Sequence, residues 1–182
     1  MARQPREDRG ALRGATRRRV PGEHALKGAR RSIDLANAYF IPGRSIRRAL
    51  YRAAARGVAV RVLVPERSDV RLALYASHRL YDTLLRRGVR LFAYRRGILH
   101  AKTAVIDRLW CAIGSYNMDD RSLFHNLEIN VHAVDAGFGA ALSNAFEDDL
   151  KNAREVTLKE WRRRSWNEKV MENLAFALRY WL

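Results

Sequence analysis

Apolar and polar positions fall into alternating blocks along the first part of the chain, and these blocks predict strands separated by helices. Three short, largely apolar runs are typical of buried strands: SIDLANAYF (32–40), VAVRVLVP (58–65) and VRLFAY (89–94). Two longer segments between them have the apolar spacing of amphipathic helices: SIRRALYRAAAR (45–56) and DVRLALYASHRLYDTLLRR (69–87). Gly57 and Gly88 are expected to end these helices. Strands that alternate with helices of this length predict βαβ units and parallel pairing.

The second part of the chain predicts a hairpin, one further strand and more helix. LHAKTAVID (99–107) and LWCAIGS (109–115) are separated by a tight Asp-Arg turn, as in a hairpin. LEINVHAV (127–134) predicts a strand and GFGAALSNAFEDDLKNA (137–153) a helix, and a basic helical tail is expected from about residue 156 onward. The predicted fold class is therefore α/β, with a mixed β-sheet flanked by helices.

The apolar positions of the tail repeat at helical spacing: Val170, Leu174, Leu178 and Trp181. This spacing favours a helix face that packs against the core or an interface over one that inserts into a membrane.

The chain divides into a basic arm and one domain. Residues 1–24 carry seven arginines, few large apolar residues and no periodicity, so they are predicted to form a disordered arm. Residues 25–182 are long enough for one domain with a real core. Such an arginine-rich start favours a truncated or split gene product.

The charge balance indicates an anionic partner. Lys and Arg number 35 against 19 Asp and Glu, which gives a net charge of +16. Nucleic acid and an anionic membrane surface both fit this charge, and a compositional bias toward arginine explains part of it equally well. The single cysteine, Cys111, excludes an intrachain disulfide and the cysteine spacings of zinc sites. Because no run of eighteen apolar residues and no secretory signal occurs, a soluble or peripheral protein is expected.

The segment HAKTAVID has the form H-x-K-x4-D and supplies His100, Lys102 and Asp107 at fixed spacing. Six residues separate the aspartate from GSYN, which contains Ser115 and Asn117. In a strand, alternate side chains share a face, so His100 and Lys102 are expected on the same side, roughly 6 to 7 Å apart. That separation suits two groups that grip one phosphate.

These residue types fit the chemistry of a phosphodiester, which needs a nucleophile, a cation over the phosphate oxygens and an acid for the leaving alkoxide. Imidazole serves as nucleophile or acid near neutral pH, which makes His100 the reactive candidate. Lys102 would place its charge on a non-bridging oxygen, and Ser115 and Asn117 would donate neutral hydrogen bonds. Glu128 would accept the proton of the far imidazole nitrogen and orient the ring. The scheme requires no metal and no cofactor.

The motif H-x-K-x4-D followed by G-S-x-N resembles the signature of the phospholipase D superfamily. Three further strings resemble the C-terminal half of bacterial cardiolipin synthases: NAYFIPG (37–43), GSYNMDDRS (114–122) and NLEINV (126–131). The resemblance covers roughly residues 25–182 and implies a single phospholipase D-like half. It also implies the catalytic set His100, Lys102, Asp107, Ser115, Asn117 and Glu128, in which Asp107 supports structure rather than reacts.

The resemblance further implies that a complete site takes two such motifs, one histidine to form a phosphohistidine and another to act as acid and base. This sequence holds one H-x-K motif. Three explanations stay open: a symmetric homodimer with His100 of each subunit in one site, a chain whose first half is a separate polypeptide, and an inert remnant.

The function hypothesis is a phosphatidyltransferase of cardiolipin-synthase type, with phosphatidylglycerol as substrate and a cytoplasmic location, peripheral on the inner membrane. The alternatives are a single-motif phospholipase D, a nuclease-type phosphodiesterase that acts on nucleic acid, and a non-catalytic subunit that binds anionic lipid.

Overall fold

The structure of the protein, a computed structural model, describes residues 22–180. The predicted disordered arm, residues 1–24, lies outside the described residues except at its end, where Glu23 and His24 already belong to the first helix. Trp181 also lies outside them. Within residues 22–180, no helix combines the length and the apolar content that crossing a bilayer requires.

Seven strands form one sheet: β1 (Ser32–Asn37), β2 (Ala59–Pro65), β3 (Arg90–Tyr94), β4 (Lys102–Ile106), β5 (Trp110–Gly114), β6 (Asn130–Val134) and β7 (Ala153–Val156). Their order across the sheet is β6-β5-β4-β1-β2-β3-β7. The strands β1, β2 and β3 run parallel, and every other pair is antiparallel. The predicted mixed sheet with parallel βαβ units is confirmed.

Seven helices accompany the sheet in the described residues: α1 (Glu23–Gly28), α2 (Arg44–Ala55), α3 (Arg71–Arg86), α4 (Asp120–Phe124), α5 (Ala136–Leu150), α6 (Leu158–Arg162) and α7 (Trp166–Ala177). The main core lies between one face of the sheet and α1, α2 and α3, because alternate strand residues such as Ile33 and Leu35 point to that side. The opposite face packs on α5 through a smaller cluster that includes Phe146.

Two strands begin later than predicted because strand pairing decides where they start. The β4 strand begins at Lys102 rather than Leu99, since its partner β1 ends at Asn37, directly opposite Lys102. His100 therefore lies in the loop before the strand. The β6 strand likewise begins at Asn130, which pairs with Gly114 at the end of β5, so the preceding residues belong to a loop.

The last part of the chain differs from the prediction in two ways. A short strand that was not predicted, β7, lies between the helix expected at 137–153 and the tail expected from about residue 156, because Ala153–Val156 pairs antiparallel with β3. The stripe expected to pack against the core or an interface does not pack on the core, since Val170, Leu174 and Leu178 are exposed; packing at an interface stays a prediction.

Candidate active site

The motif residues lie together at one end of the sheet, called the motif edge, where the strands begin or end. The carboxyl ends of β1 and β5 and the amino ends of β4 and β6 meet there, as the pairs Asn37 with Lys102 and Gly114 with Asn130 show. His100 precedes β4, and Ser115 follows β5. The antiparallel hairpin therefore brings together the two parts of the motif that the Asp-Arg turn separates in sequence.

Lys102 is the cation of this edge. Its Nζ atom donates a hydrogen bond of 2.8 Å to the backbone carbonyl of His100, which ties the two motif residues together. Burial lowers the pKa of Lys102, while the carboxylates of Glu128, Asp69 and Asp119 oppose that effect. The ammonium group thus has three carboxylates around it that favour its charged form.

Glu128 and Ser115 form a hydrogen-bonded pair beside Lys102. The Ser115 hydroxyl donates to one Glu128 oxygen, and the amide of Asn126 donates to the other at 3.2 Å. Burial alone would raise the pKa of Glu128, but these hydrogen bonds and the charge of Lys102 bring it below its usual value. Within residues 22–180, no hydrogen bond joins the His100 ring to Glu128, so the orienting role of Glu128 stays a prediction.

The GSYN turn is shaped by a close backbone approach. A Cβ atom on Gly114 would collide with the backbone of Ile129 and Asn130, so only glycine fits there. Further along the turn, Asn117 has a buried amide oxygen that has no hydrogen-bond partner among the described residues. Unpaired buried polar atoms are rare and costly, but this oxygen can only accept a hydrogen bond, so a contact of Asn117 with a phosphate oxygen would come from its amide N–H groups instead.

The loop after GSYN is fastened to the loop after β1. The buried side chain of Asn37 accepts a hydrogen bond from the Met118 backbone N–H at 3.1 Å, and the Met118 carbonyl accepts one from Ile41 at 2.8 Å. Asp119 then caps α4 by accepting from the Ser122 N–H at 2.6 Å. Asn37 was not among the residues predicted for the site, because only the pairing of β1 with β4 brings it beside Lys102.

Tyr39 and Asp69, which were not among the predicted site residues, extend the site toward α3. The Tyr39 hydroxyl donates to Asp69 at 2.7 Å. Burial and the Asp69 carboxylate together raise the pKa of Tyr39 to about 12, so the phenol stays protonated at neutral pH. Because Asp69 acts electrostatically on Lys102, this pair belongs to the same cluster.

Asp107 lies at the opposite edge of the sheet, at the far end of β4 from Lys102. Its carboxylate accepts three backbone N–H groups, from Arg30 at 2.9 Å, Arg31 at 2.7 Å and Ser32 at 2.9 Å. Burial alone would raise the pKa of Asp107, but these hydrogen bonds and the charge of Arg31 lower it overall. Asp107 thus fastens the backbone before β1 at the end of β4 that is remote from Lys102, and its supporting role stays a prediction.

Fold and motif together define a phospholipase D-like domain, and solved structures share this fold. Nuc from Salmonella typhimurium, a phospholipase D family member, aligns with a TM-score of 0.63 at 23% identity, over 74% of this chain and 88% of that one. A phosphatidylserine synthase from Haemophilus influenzae aligns with a TM-score of 0.67 at 12% identity, over 86% of this chain and 40% of that one.

The chain belongs to the family described as cardiolipin synthase, PLD-like domain, whose model matches residues 23–150. It is 37% identical over 150 residues to a probable cardiolipin synthase (YwiE) of Bacillus subtilis, and 40% identical over 136 residues to cardiolipin synthase A of Pseudomonas putida. These matches cover 82% and 75% of this chain but 30% and 28% of the relatives. The chain thus spans less than a third of the length of these two relatives.

Proposed function

We propose that this chain carries one half of a phosphatidyl-transfer site of cardiolipin-synthase type. The observation that carries the proposal is the gathering of His100, Lys102, Ser115, Asn117 and Glu128 around one edge of the sheet, in a chain of this family. The substrate would be phosphatidylglycerol, whose phosphodiester needs a nucleophile, a cation and an acid.

The reaction takes two displacements at phosphorus. In the first, a histidine nitrogen attacks the phosphorus of phosphatidylglycerol and a P–N bond forms. The P–O bond to the headgroup glycerol breaks, and a second histidine protonates the leaving oxygen. In the second, that same second histidine takes the proton from a hydroxyl of another phosphatidylglycerol. The freed oxygen attacks phosphorus and the P–N bond breaks, which yields cardiolipin. His100 would perform one of these two jobs, and a second phospholipase D-like half would supply the partner histidine.

The other motif residues stabilise charge or hold the site together. Lys102 would pair with a non-bridging oxygen of the phosphate, since the charge on these oxygens must be offset as the nucleophile approaches. Ser115 and Asn117 would donate hydrogen bonds to the same oxygens. Glu128 would exchange its bond to Ser115 for one to His100 and orient the ring. Asp107 would act through the backbone it fastens.

An exposed apolar strip beside the site supports a partner polypeptide, either a second copy or a separate first half. The strip consists of exposed residues on β5, on β6 and in the loop before β6, with these exposed fractions: Ile113 40%, Leu127 103%, Ile129 80% and Val131 59%. Ile113 and Val131 pair across the two strands, and Leu127 and Ile129 flank Glu128. A partner that covers this strip would lie over the motif residues and can supply the second histidine.

The proposed location is the cytoplasmic face of the inner membrane, where the chain would bind peripherally. The net charge of +16 supports attraction to anionic lipid, because each Lys or Arg near such a surface contributes about 1 kcal/mol.

Turnover of phosphatidylglycerol vesicles, with products resolved by mass spectrometry, tests the proposal. Wild-type chain and the control His24→Ala, on α1 away from the site, should form cardiolipin, whereas His100→Ala should lower its formation by at least about a thousandfold. If the chain alone is inactive, the same comparison is made after a first-half polypeptide is added. Phosphatidic acid as the only product would indicate a phospholipase, and His100-dependent plasmid cleavage without lipid products would overturn the proposal in favour of a nuclease.

A further inference from the structure

Helix α7 turns its polar side toward the protein and its apolar side toward solvent. Its buried residues are Glu172, 3% exposed, and Ala175, 1% exposed. Most of its large apolar residues are exposed instead: Trp166 73%, Val170 42%, Met171 43%, Leu174 57% and, at the C-cap, Leu178 50%. Phe176 alone among the large apolar residues of α7 is partly buried, against the main core. An amphipathic helix on a globular protein ordinarily shows the reverse, with its apolar stripe on the core.

Polar contacts fix this orientation. Glu172 forms an ion pair with Arg164, whose guanidinium lies over the Trp161 ring at 3.2 Å from the centroid. On the same side of the helix, Arg79 of α3 donates to Asn173 at 2.6 Å. Rotating α7 to bury its stripe would leave the Glu172 and Arg164 charges without each other, so the exposed stripe is a stable feature of the fold.

The stripe is long and free of charge. Trp166, Val170, Leu174 and Leu178 recur at every fourth position, which extends the stripe over roughly 18 Å at the rise of an α-helix. At about 100° per residue, the charged residues of α7 project to other sides of the helix: Glu168, Lys169 and Glu172. An apolar stripe of this length on a soluble surface indicates an interaction site.

The carboxyl-terminal end of this stripe reaches the candidate active site. Just beyond α7, Arg179 pairs with Asp120 of α4 at 3.6 Å, and the ring of Tyr180 lies 6.4 Å from that of Phe124. Phe124 is itself 47% exposed. Helix α4 follows the GSYN turn after only two residues, so a surface that covers α7 continues to the motif edge of the sheet.

We propose that the outward face of α7 docks on an anionic lipid bilayer, with the helix in the plane of the interface and Phe124 at the end nearest the site. The charges around the stripe favour lipid over protein: residues 157–180 hold six Lys and Arg against three Glu, and the ion pair of Arg164 with Glu172 leaves five cations against two carboxylates. Trp166 at one end of the stripe and Arg163 just before the helix are residue types typical of an interfacial helix. The inference rests on the lipid substrate proposed above, since docking would present the site to its substrate.

Vesicle co-sedimentation tests the docking surface. The double variant Val170→Ser/Leu174→Ser removes apolar area at exposed positions, so it should keep the wild-type circular dichroism and thermal midpoint. We expect its partition onto phosphatidylglycerol/phosphatidylcholine vesicles to fall by at least about tenfold. The matched control Leu109→Ser/Val134→Ser changes two residues that are 46% and 71% exposed at the opposite edge of the sheet, and it should bind as the wild type does.

Wild-type partition onto these vesicles should fall further in high salt and on vesicles of phosphatidylcholine alone. Equal binding by the α7 variant and the control would overturn the inference. A wild-type chain that self-associates in the absence of lipid, and becomes monomeric in the α7 variant, would assign the face to a protein contact instead. Because partition is measured without turnover, and His100→Ala should bind as the wild type does, failure of docking and failure of the proposed catalysis give different results.

Discussion

Individual carboxylates in this molecule have different roles, depending on which end of the strands they lie at. At the motif edge, Glu128 and Asp69 act on the Lys102 ammonium group. At the end of the sheet that carries the β4–β5 turn, Asp107 accepts three backbone N–H groups from residues 30 to 32 and, within residues 22–180, forms no hydrogen bond with a motif side chain. Asp107 therefore belongs to the motif in sequence but joins the β4–β5 turn to the start of β1 in space.

We predict that Asp107→Asn destabilises the fold without a direct effect on chemistry. An amide offers one neutral acceptor where the carboxylate offers two charged ones, so the free energy of unfolding should fall by about 1–3 kcal/mol. Thermal and urea unfolding measure the change. Asp148→Asn is the control, because Asp148 is 71% exposed and pairs with Lys151 on the surface, so its loss should stay within about 0.5 kcal/mol. Loss of turnover at unchanged stability would contradict this role.

The site residues that belong to one short sequence motif were predictable, and those from other parts of the chain were not. His100, Lys102 and Ser115 fall within sixteen residues of each other, and their chemistry suggests phosphate on its own. Asn37, Tyr39 and Asp69 were missed because their place depends on which strands pair. Asn37 reaches the site only through its register with Lys102, and no local pattern indicates that register.

At the scale of elements, α5 packs closely against the β4–β5 turn at Gly139. A Cβ atom on Gly139 would collide with the carbonyl of Arg108 and lie 3.0 Å from the Leu109 nitrogen. Asp107 and Arg108 both take positive φ angles, 54° and 56°, so the turn has little freedom to move away. The helix and the turn therefore keep a fixed separation.

We predict that Gly139→Ala lowers the free energy of unfolding by about 2 kcal/mol or more, since the added methyl group forces the helix off the turn. Gly137→Ala is the matched control in the same helix, because its Cβ would meet only the end of the Asp135 side chain, at 3.3 Å. That substitution should be neutral or should stabilise by up to about 1 kcal/mol, given the helix propensity of alanine. Equal denaturation midpoints for the two variants would refute the close approach.

Helices whose ends are marked by a glycine in the sequence were predicted well. Helices α2 and α3 end within two residues of the predicted positions because Gly57 and Gly88 adopt the left-handed conformation, with φ of 87° and 82°. The strand β7 was missed because its four residues, AREV, show no apolar alternation and form a strand only against β3. The apolar stripe of α7 does not pack on the core, as one of the two predicted alternatives had it, because Glu172 is buried on the inner side of the helix in an ion pair with Arg164.

At the scale of the whole molecule, the strip of Ile113, Leu127, Ile129 and Val131 predicts that the active species contains two polypeptides. Ile129→Glu places a charge in that strip, so it should prevent assembly and lower turnover by at least about tenfold while leaving thermal stability unchanged. Sedimentation velocity should show one chain for the variant and a larger species for the active form. Leu109→Glu, an exposed change at the opposite edge, serves as the control. A variant that stays active as a single chain would contradict a two-half site.

The strand order also bears on how the chain is made. Strands β1, β2 and β3 are synthesised before the strands that flank them. Leu35 of β1 pairs with Ala104 of β4, and Leu91 of β3 pairs with Val156 of β7, so both partners are synthesised later. A nascent chain therefore holds a three-stranded parallel core with two open edges until late in synthesis, and open edges recruit other strands. Slow translation should lengthen that exposure, so the yield of folded protein depends on how quickly residues 102–156 follow.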